Sequence, residues 1–527
     1  MIIRWFNQKR ARNKRVCGNK NGLTACAFLI CFSAFAVAAQ VAPNAGGGSQ
    51  NDKQTTAKPQ TEQAEQPTQE PRYKLLRSEE DWSFLKDKQK RTDYLDPIKY
   101  VRLRKSRAKN YDDWFLTIGG ETRQFYENFR NENFGQSVPD NNGYWLQRYM
   151  LHANLRLGRN FRAFVELKSG LITNRNGGAR PPDKDKLDFN QAFAEFDFGF
   201  DKKSLDNSEK PPLPKFAVRV GRQELDYGSG RLVSVREGPN VRQSFDGAKI
   251  VLNLDQWRVD VFAAKPVETP FGFFDDAVNS GSTFWGVYAV RPFTVFHQLL
   301  PESNVDVYYL GTDRRLARFD QGAAREIRHT FGARLWNKAQ SFDYDLEFAG
   351  QAGEFGAGRI RAAFLSFNTG YTFKKSGLQP RIGFSAGINS GDRNPDNPNL
   401  QTFSPPFPRG RYFGQIGANG PNNINGFSPS ISFKIAKKIT ITADDYVFFR
   451  NSLNDGLYGI PGNLLRTGKN SRARFIGTQP QIEAVWQIDR HLSATINYAR
   501  FFAGRFILNA PPSQDINYFS SWMTYKF

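Results

Sequence analysis

Cysteine is nearly missing from this chain. The three that exist, Cys17, Cys26 and Cys31, all lie at or before position 31. Beyond that point there is no thiol, which excludes disulfides, thiolate metal sites and cysteine nucleophiles together. Long apolar runs are missing too. The single candidate, Leu23 to Ala36, is too short to span a bilayer comfortably, and mean hydropathy is −0.58. Hydropathy alone would place the chain in water, but a wall of strands with alternating faces gives the same average. No serine sits in a nucleophile elbow, and no glycine-rich phosphate loop joins a strand to a helix. Enzyme signals are therefore weak.

The N-terminus reads as an export signal. Arg4, Lys9, Arg10, Arg12, Lys14, Arg15 and Lys20 precede the apolar stretch, and Ala36-Val37-Ala38-Ala39 supplies small residues for cleavage near Ala39. Leu23-Thr24-Ala25-Cys26 resembles a lipoprotein box, but the apolar run follows it instead of preceding it, so lipidation is rejected. Residues 40–72 are rich in Gln, Thr, Pro, Glu and Gly and read as a disordered spacer. Residues 73–112 form a charged lead-in with Trp82, Phe84, Leu85 and Tyr94. The formal charge is +22, and loss of the seven basic signal residues leaves +15. Such an excess favours an anionic partner. Nothing resembles a nucleic-acid-binding motif, so nucleic acid is not expected.

From Trp114 on, the chain is strand after strand. In the tail, Phe519, Ser521, Met523, Tyr525 and Phe527 share one face, and Ser520, Trp522, Thr524 and Lys526 the other. This resembles the closing strand of a bacterial outer-membrane barrel, with Phe527 meeting the first strand near Trp114. Ala153, Leu155 and Leu157 alternate with Asn154 and Arg156 in the same way, and Phe342, Tyr344, Leu346 and Phe348 alternate with Asp343, Asp345 and Glu347. Charge on a lipid face costs about 2–4 kcal/mol at the midplane, so the charged face is the inner one. About eighteen strands are expected, including 304–312 and 327–337, in an all-β antiparallel transmembrane barrel over 113–527. Connections alternate between tight (158–160, 255–256, 436–437, 489–490) and long (128–144, 173–187, 226–243, 266–282, 390–425, 450–473). Two long exceptions, 201–213 and 291–303, are plug candidates. The segment 390–425 reads equally as a lid or as an outer loop. Aromatics make up 14%, with 47 Phe, many near strand ends where interfacial girdles lie. The histidines, His152, His297, His329 and His491, lack metal-like spacing and read as lumen or turn residues. No metal or cofactor is expected.

Several short motifs occur in order across 114–527. They are Gly119-Gly120-Glu121-Thr122-Arg123, Gly221-Arg222-Gln223-Glu224, Tyr227-Gly228 with Arg231-Leu232, and Arg242-Gln243-Ser244-Phe245-Asp246-Gly247. Phe342-Asp343-Tyr344-Asp345-Leu346-Glu347, Gly391-Asp392-Arg393-Asn394-Pro395-Asp396, Thr402-Phe403, Phe407-Pro408-Arg409-Gly410 and Tyr412-Phe413-Gly414 continue the series. Together they resemble the alginate export family. That resemblance implies an eighteen-stranded outer-membrane barrel exporting an acidic exopolysaccharide through an arginine-rich constriction, with loops gating either end and possible work beside a periplasmic scaffold.

Guanidinium groups stay charged and grip carboxylates bidentately, and rings of them select anions. The inward arginines expected to line the path are Arg123, Arg156, Arg219, Arg334 and Arg381, with Arg222, Arg231, Arg393 and Arg409 from the motif segments. Glu121, Glu224, Asp343, Asp345 and Glu347 are candidate bracing partners for them. The 343–347 carboxylates read as a lumen row ahead of an acid–base or divalent-cation site. An anion-selective porin importing small sugar acids remains the alternative to export, and a barrel enzyme or adhesin is a third reading.

Overall fold

The computed structural model describes residues 73–105, 113–199, 214–293, 302–337 and 341–527. The expected signal and spacer, His297 and the connection 201–213 lie outside them, as does 294–301 of the second plug candidate.

Alternation builds the strands, with the faces inverted relative to a protein dissolved in water. Val220, Phe331, Phe348, Ile382 and Ile496 are each more than half exposed. Their chain neighbours Arg219, Thr330, Glu347, Arg381 and Asn497 point to the interior. An apolar outer face and a polar inner one suit a wall standing in lipid.

The strands are β1 (Trp114–Arg130), β2 (Asp140–Leu157), β3 (Phe161–Thr173), β4 (Asp185–Phe198), β5 (Phe216–Gln223), β6 (Phe245–Leu254), β7 (Trp257–Glu268), β8 (Ser282–Phe293), β9 (Ser303–Phe319), β10 (Gly322–Asn337), β11 (Phe342–Phe355), β12 (Gly358–Thr372), β13 (Arg381–Asn389), β14 (Ile424–Ala436), β15 (Ile439–Arg450), β16 (Phe475–Gln487), β17 (Leu492–Ala503) and β18 (Ile516–Lys526). Each pairs antiparallel with the next and β18 pairs with β1, so the eighteen strands close into a barrel. Outward aromatic pairs sit near strand ends, such as Phe198–Phe216 (4.7 Å) and Phe449–Phe475 (5.5 Å). Trp285, Tyr309 and His329 form an outward chain of hydrogen bonds at 3.1 and 2.9 Å across β8, β9 and β10. His329 therefore faces out, neither in the lumen nor in a turn.

The seam corrects the expectation about the tail. Phe527 lies against Gly120, well along β1, and not near Trp114. The two residues exchange backbone hydrogen bonds of 2.8 and 2.9 Å. Closing a tilted sheet staggers its strands, so β1 runs on past the end of β18. A short strand from the lead-in covers that stretch, with Val101 opposite Leu116 and Arg104 opposite Trp114. Behind it Tyr73, Trp82, Leu85, Tyr100 and Phe115 form a buried cluster. Lys526 turns inward, 3.7 Å from Glu121. A Cβ on Gly120 would run into the Met150 carbonyl of β2 and meet the Phe527 ring at 2.7 Å. Gly120→Val is expected to open this seam and to lower the fraction of barrel that keeps folded mobility on an unboiled SDS gel. Wild-type mobility in that variant would count against the seam described.

The rims also differ from expectation. At the end that carries Tyr73 and Phe527 the connections 158–160, 255–256 and 437–438 are tight. At the opposite rim not every connection is long, because 320–321 and 356–357 are two-residue turns. As a result β9 has 17 residues, β10 16, β11 14 and β12 15. Residues 313–326, which fall between the expected strands 304–312 and 327–337, continue both strands, and their charges form a cross-strand ladder. Arg314 meets Glu326 at 2.5 Å and Arg325 meets Asp313 at 2.6 Å.

Candidate functional site

Two connections from the outer rim turn into the lumen. The first, residues 224–244 between β5 and β6, stretches from wall to wall. Arg231 reaches Asp345 (2.9 Å) and Glu347 (3.0 Å) on β11. Glu237 meets Arg148 on β2, and Asn240 donates to the carbonyls of Gln147 and Leu171, both at 3.1 Å. Gly228 sits at φ +63, and a Cβ there would meet the Tyr288 hydroxyl at 2.8 Å, so this turn needs glycine.

The second strap is 390–423 between β13 and β14. The question of lid or outer loop resolves into a segment crossing the interior. Thr402 O accepts from Arg328 of β10 (3.1 Å), and Phe403 stacks on Phe364 of β12 (5.0 Å). Gln415 N donates to Gln481 of β16 (2.8 Å). The straps also bind each other. Ser234 N donates to Phe407 O and Phe407 N to Leu232 O, both 2.9 Å, and Arg409 N donates to Gly230 O (3.0 Å). Phe407 anchors the crossing against Phe245 and Phe284, at 4.8 and 5.0 Å.

Together the straps leave a cavity of about 420 Å³ beside β1 and β18, lined by Arg123, Arg409, Arg411, Phe125, Trp522 and Leu75 among others. Which guanidiniums are already committed decides what this cavity can do. Arg409 is exposed and makes no side-chain hydrogen bond or ion pair among the described residues, and the same holds for half-exposed Arg236. Arg123 donates to two carbonyls, Glu237 O and Pro239 O, both at 2.9 Å. Arg411 donates to Gln415 of its own strap and to the Tyr518 hydroxyl (3.0 Å), and lies 5.2 Å from the Phe125 ring and 5.1 Å from Trp522, with Glu127 no nearer than 3.5 Å. Among the described residues none of these four guanidiniums holds a carboxylate closer than that, which leaves their charge to an incoming anion.

Most of the other expected arginines are occupied. Arg219 pairs with Glu195 at 2.6 Å. Arg334 takes Asp345 bidentately at 2.8 and 3.0 Å and Asp306 at 3.0 Å. Arg381 holds Asp343 at 2.5 and 2.9 Å, and Arg231 is spent as above. Arg156 lies looser, 3.9 Å from Asp197. Glu121 meets Arg148 at 2.5 Å and Glu224 meets Arg242 at 3.0 Å, so each of the expected carboxylates contacts an arginine.

Two placements differ from expectation. Arg222 is on the outer face near the rim, bonded to Asp246 at 2.9 and 3.0 Å. It follows inward Arg219 by an odd number of residues, and period two puts such a pair on opposite faces. Arg393 is exposed on the rim portion of the second strap, outside the cavity. Arg148, Arg236 and Arg411 were not anticipated. For Arg411 the signal was its place two residues after Arg409. For Arg148 no local signal exists, because one partner, Glu237, lies 89 residues away.

His152 is buried on the lumen face, 3.7 Å from Glu166, and His491 sits in a turn at the terminus-bearing end, bonded to Asp93 at 2.8 Å. Among the described residues, carboxylates with metal-like spacing occur at Asp188, Asp275 and Asp276, within 4.8 Å of one another. Lys168 (2.8 Å) and Arg222 (3.5 Å) already reach Asp276, so the chain's own cations occupy that ground.

At the outer rim Asp392 N donates to Asp455 (2.8 Å). Burial pushes the Asp392 carboxyl up to about 6, and Asp455 beside it adds to the shift against the pull of the Asn394 N–H. A folded-state value above the ordinary 3.8 favours the protonated folded form. This contribution is complete below that ordinary value and fades as pH rises through about 6. The thermal midpoint is therefore expected to fall between about pH 4 and about pH 7, and to fall less in Asp392→Asn. Equal slopes in the two proteins would refute this.

Comparison with known proteins follows from this geometry. The sequence profile of a family described as "Alginate export" matches residues 115–520. A comparison with curated sequences finds no match. Among solved structures, the Pseudomonas aeruginosa outer-membrane protein OpdK superposes with a TM-score of 0.53 at 11% identity, covering 78% of this chain and 98% of that one. OpdK with vanillate gives a TM-score of 0.52 at 12% identity over the same shares. These likenesses establish the fold.

Proposed function

The chain belongs to the alginate export family and is an outer-membrane channel; from that premise we propose that it passes an acidic exopolysaccharide such as alginate outward, along strap and wall arginines that hold no carboxylate at close range. The observation that carries this reading is Arg409, exposed in the cavity with no side-chain partner among the described residues. A polyuronate brings about one carboxylate per sugar. Arg409, Arg236, Arg123 and Arg411 offer several moderate sites in place of one tight one, and release between adjacent sites is what conduction requires. The braced pairs, Arg219–Glu195 and Arg334–Asp345 among them, hold the wall and leave this group to meet cargo. Membrane lipid covers the apolar outer face, and a periplasmic scaffold of a secretion complex fits the role of handing over polymer. The chain works without chemistry of its own.

Import of small sugar acids is the second reading, favoured by the cavity volume of about 420 Å³, which is of single-ligand size, and by the vanillate seen in similarly folded OpdK. A deletion strain separates the two. Loss of uronic-acid polymer from the medium supports export. Unchanged secretion with lost growth on glucuronate supports import.

A further inference from the structure

We infer that residues 73–80 plug the periplasmic mouth and must leave it before cargo passes. The segment precedes the family-matched residues 115–520, so the family does not account for it. It touches widely separated parts of the wall. Arg77 donates to Gly120 O of β1 (2.9 Å) and to Phe527 O at the end of β18 (2.7 Å). Arg162 of β3 donates to Ser78 O (2.6 Å), and Arg258 of β7 lies 3.5 Å from Glu79. From the first strap, Arg242 donates to Leu75 O (2.9 Å). Leu75 lines the same cavity as Arg123 and Arg409, so the segment is the cavity's floor. Arg77, Ser78 and Glu80 are buried, with 3%, 1% and 4% of their surface exposed.

Its fastenings are of an exchangeable kind. Arg162 and Arg242 are each paired with a carboxylate, Glu195 at 2.8 Å and Glu224 at 3.0 Å, and spend a further donor on a neutral carbonyl of the segment; a carboxylate accepts from guanidinium more strongly than a carbonyl does. A polyanion arriving at the mouth would therefore compete for the two arginines that keep the plug in place. The rest of the lead-in stays behind as a tether. Asp93 is bonded to His491 at 2.8 Å, Tyr94 to Tyr525 at 2.6 Å, and Val101–Arg104 is paired with β1. The plug itself rests on the channel alone, whereas its release by a polyanion rests on the anionic reading of the solute.

The test is single-channel conductance in planar bilayers of the full chain and of a variant lacking residues 73–80, both shown folded by gel mobility. A severalfold rise in the deletion is expected, in neutral salt and whatever the ion selectivity. Unchanged conductance overturns the plug, whereas cation selectivity with raised conductance would overturn only the anion reading. Should the deletion fail to fold, Ser78→Cys decides. Its thiol is expected to react slowly with a methanethiosulfonate reagent at rest and severalfold faster when oligoguluronate is added. Fast labelling at rest overturns the plug, and no acceleration overturns its release by a polyanion.

Discussion

Arg409→Glu is expected to turn the channel against anions. Because the Arg409 side chain has no partner among the described residues, its replacement breaks no brace, and the change acts on the field alone. One charge seen from about 8 Å at an effective dielectric of about 40 is worth about 1 kcal/mol, so the two-charge swing is about 2 kcal/mol, or about thirtyfold in relative anion occupancy. Reversal potentials across a KCl gradient should move accordingly, with Arg409→Gln about half-way. Arg393→Glu at the exposed rim serves as the control, since salt screens such a charge beyond about 8–10 Å. A reversal potential that moves equally for both arginines would mean that net charge, and not this position, governs selectivity.

Arg148→Gln is expected to cause the largest loss of stability together with a gain in conductance. Arg148 is buried between Glu121 of β2's neighbour β1 (2.9 and 2.5 Å) and Glu237 of the first strap. Removing one partner of a buried charge pair costs about 3–5 kcal/mol, because the remaining charges stay desolvated. Among the described residues Glu121 then keeps Lys526 at 3.7 Å and Glu237 keeps Arg242 at 3.3 Å as ion-pair partners. The strap loses its charged hold on β2, the Asn240–Gln147 hydrogen bond alone remains there, and the crossing widens. Thermal melting in detergent and single-channel current would report the two effects. A stable variant with wild-type current would show that the strap is held elsewhere.

How much of this could be read from the chain follows from the range of each interaction. Lipid imposes period two on every strand, so Ala153/Asn154 and Phe348/Glu347 declare their faces within two residues. The Gly391–Phe413 stretch has no period, because an irregular segment lying on other segments repeats nothing. Its inward path depends on Phe403 meeting Phe364 and on Gln415 meeting Gln481, contacts invisible to a local pattern. The division of arginines into braced and uncommitted was hidden for the same reason. Arg231 finds Asp345 at a separation of 114 residues, and nothing near Arg231 marks it as spent. Arg222 is a different case. Its face was readable from its spacing to Arg219, and the motif drew attention away from that spacing. The extension of β9 and β10 through 313–326 was also readable, since opposite signs facing one another across a tight turn suit a ladder.

The long strands carry a mechanical consequence. A strand of 17 residues runs about 55 Å against an apolar band about 25 Å tall, and even at a tilt near 40° its end rises well clear of the membrane. β1 and β2 reach 17 and 18 residues too, but the connection 131–139 separates them at the outer rim, whereas β9–β10 and β11–β12 are joined there by two-residue turns. Resistance to bending is therefore greatest along the β9–β12 arc. Bulky cargo would spread the mouth more readily where long connections border it, and would be deflected away from the β9–β12 palisade.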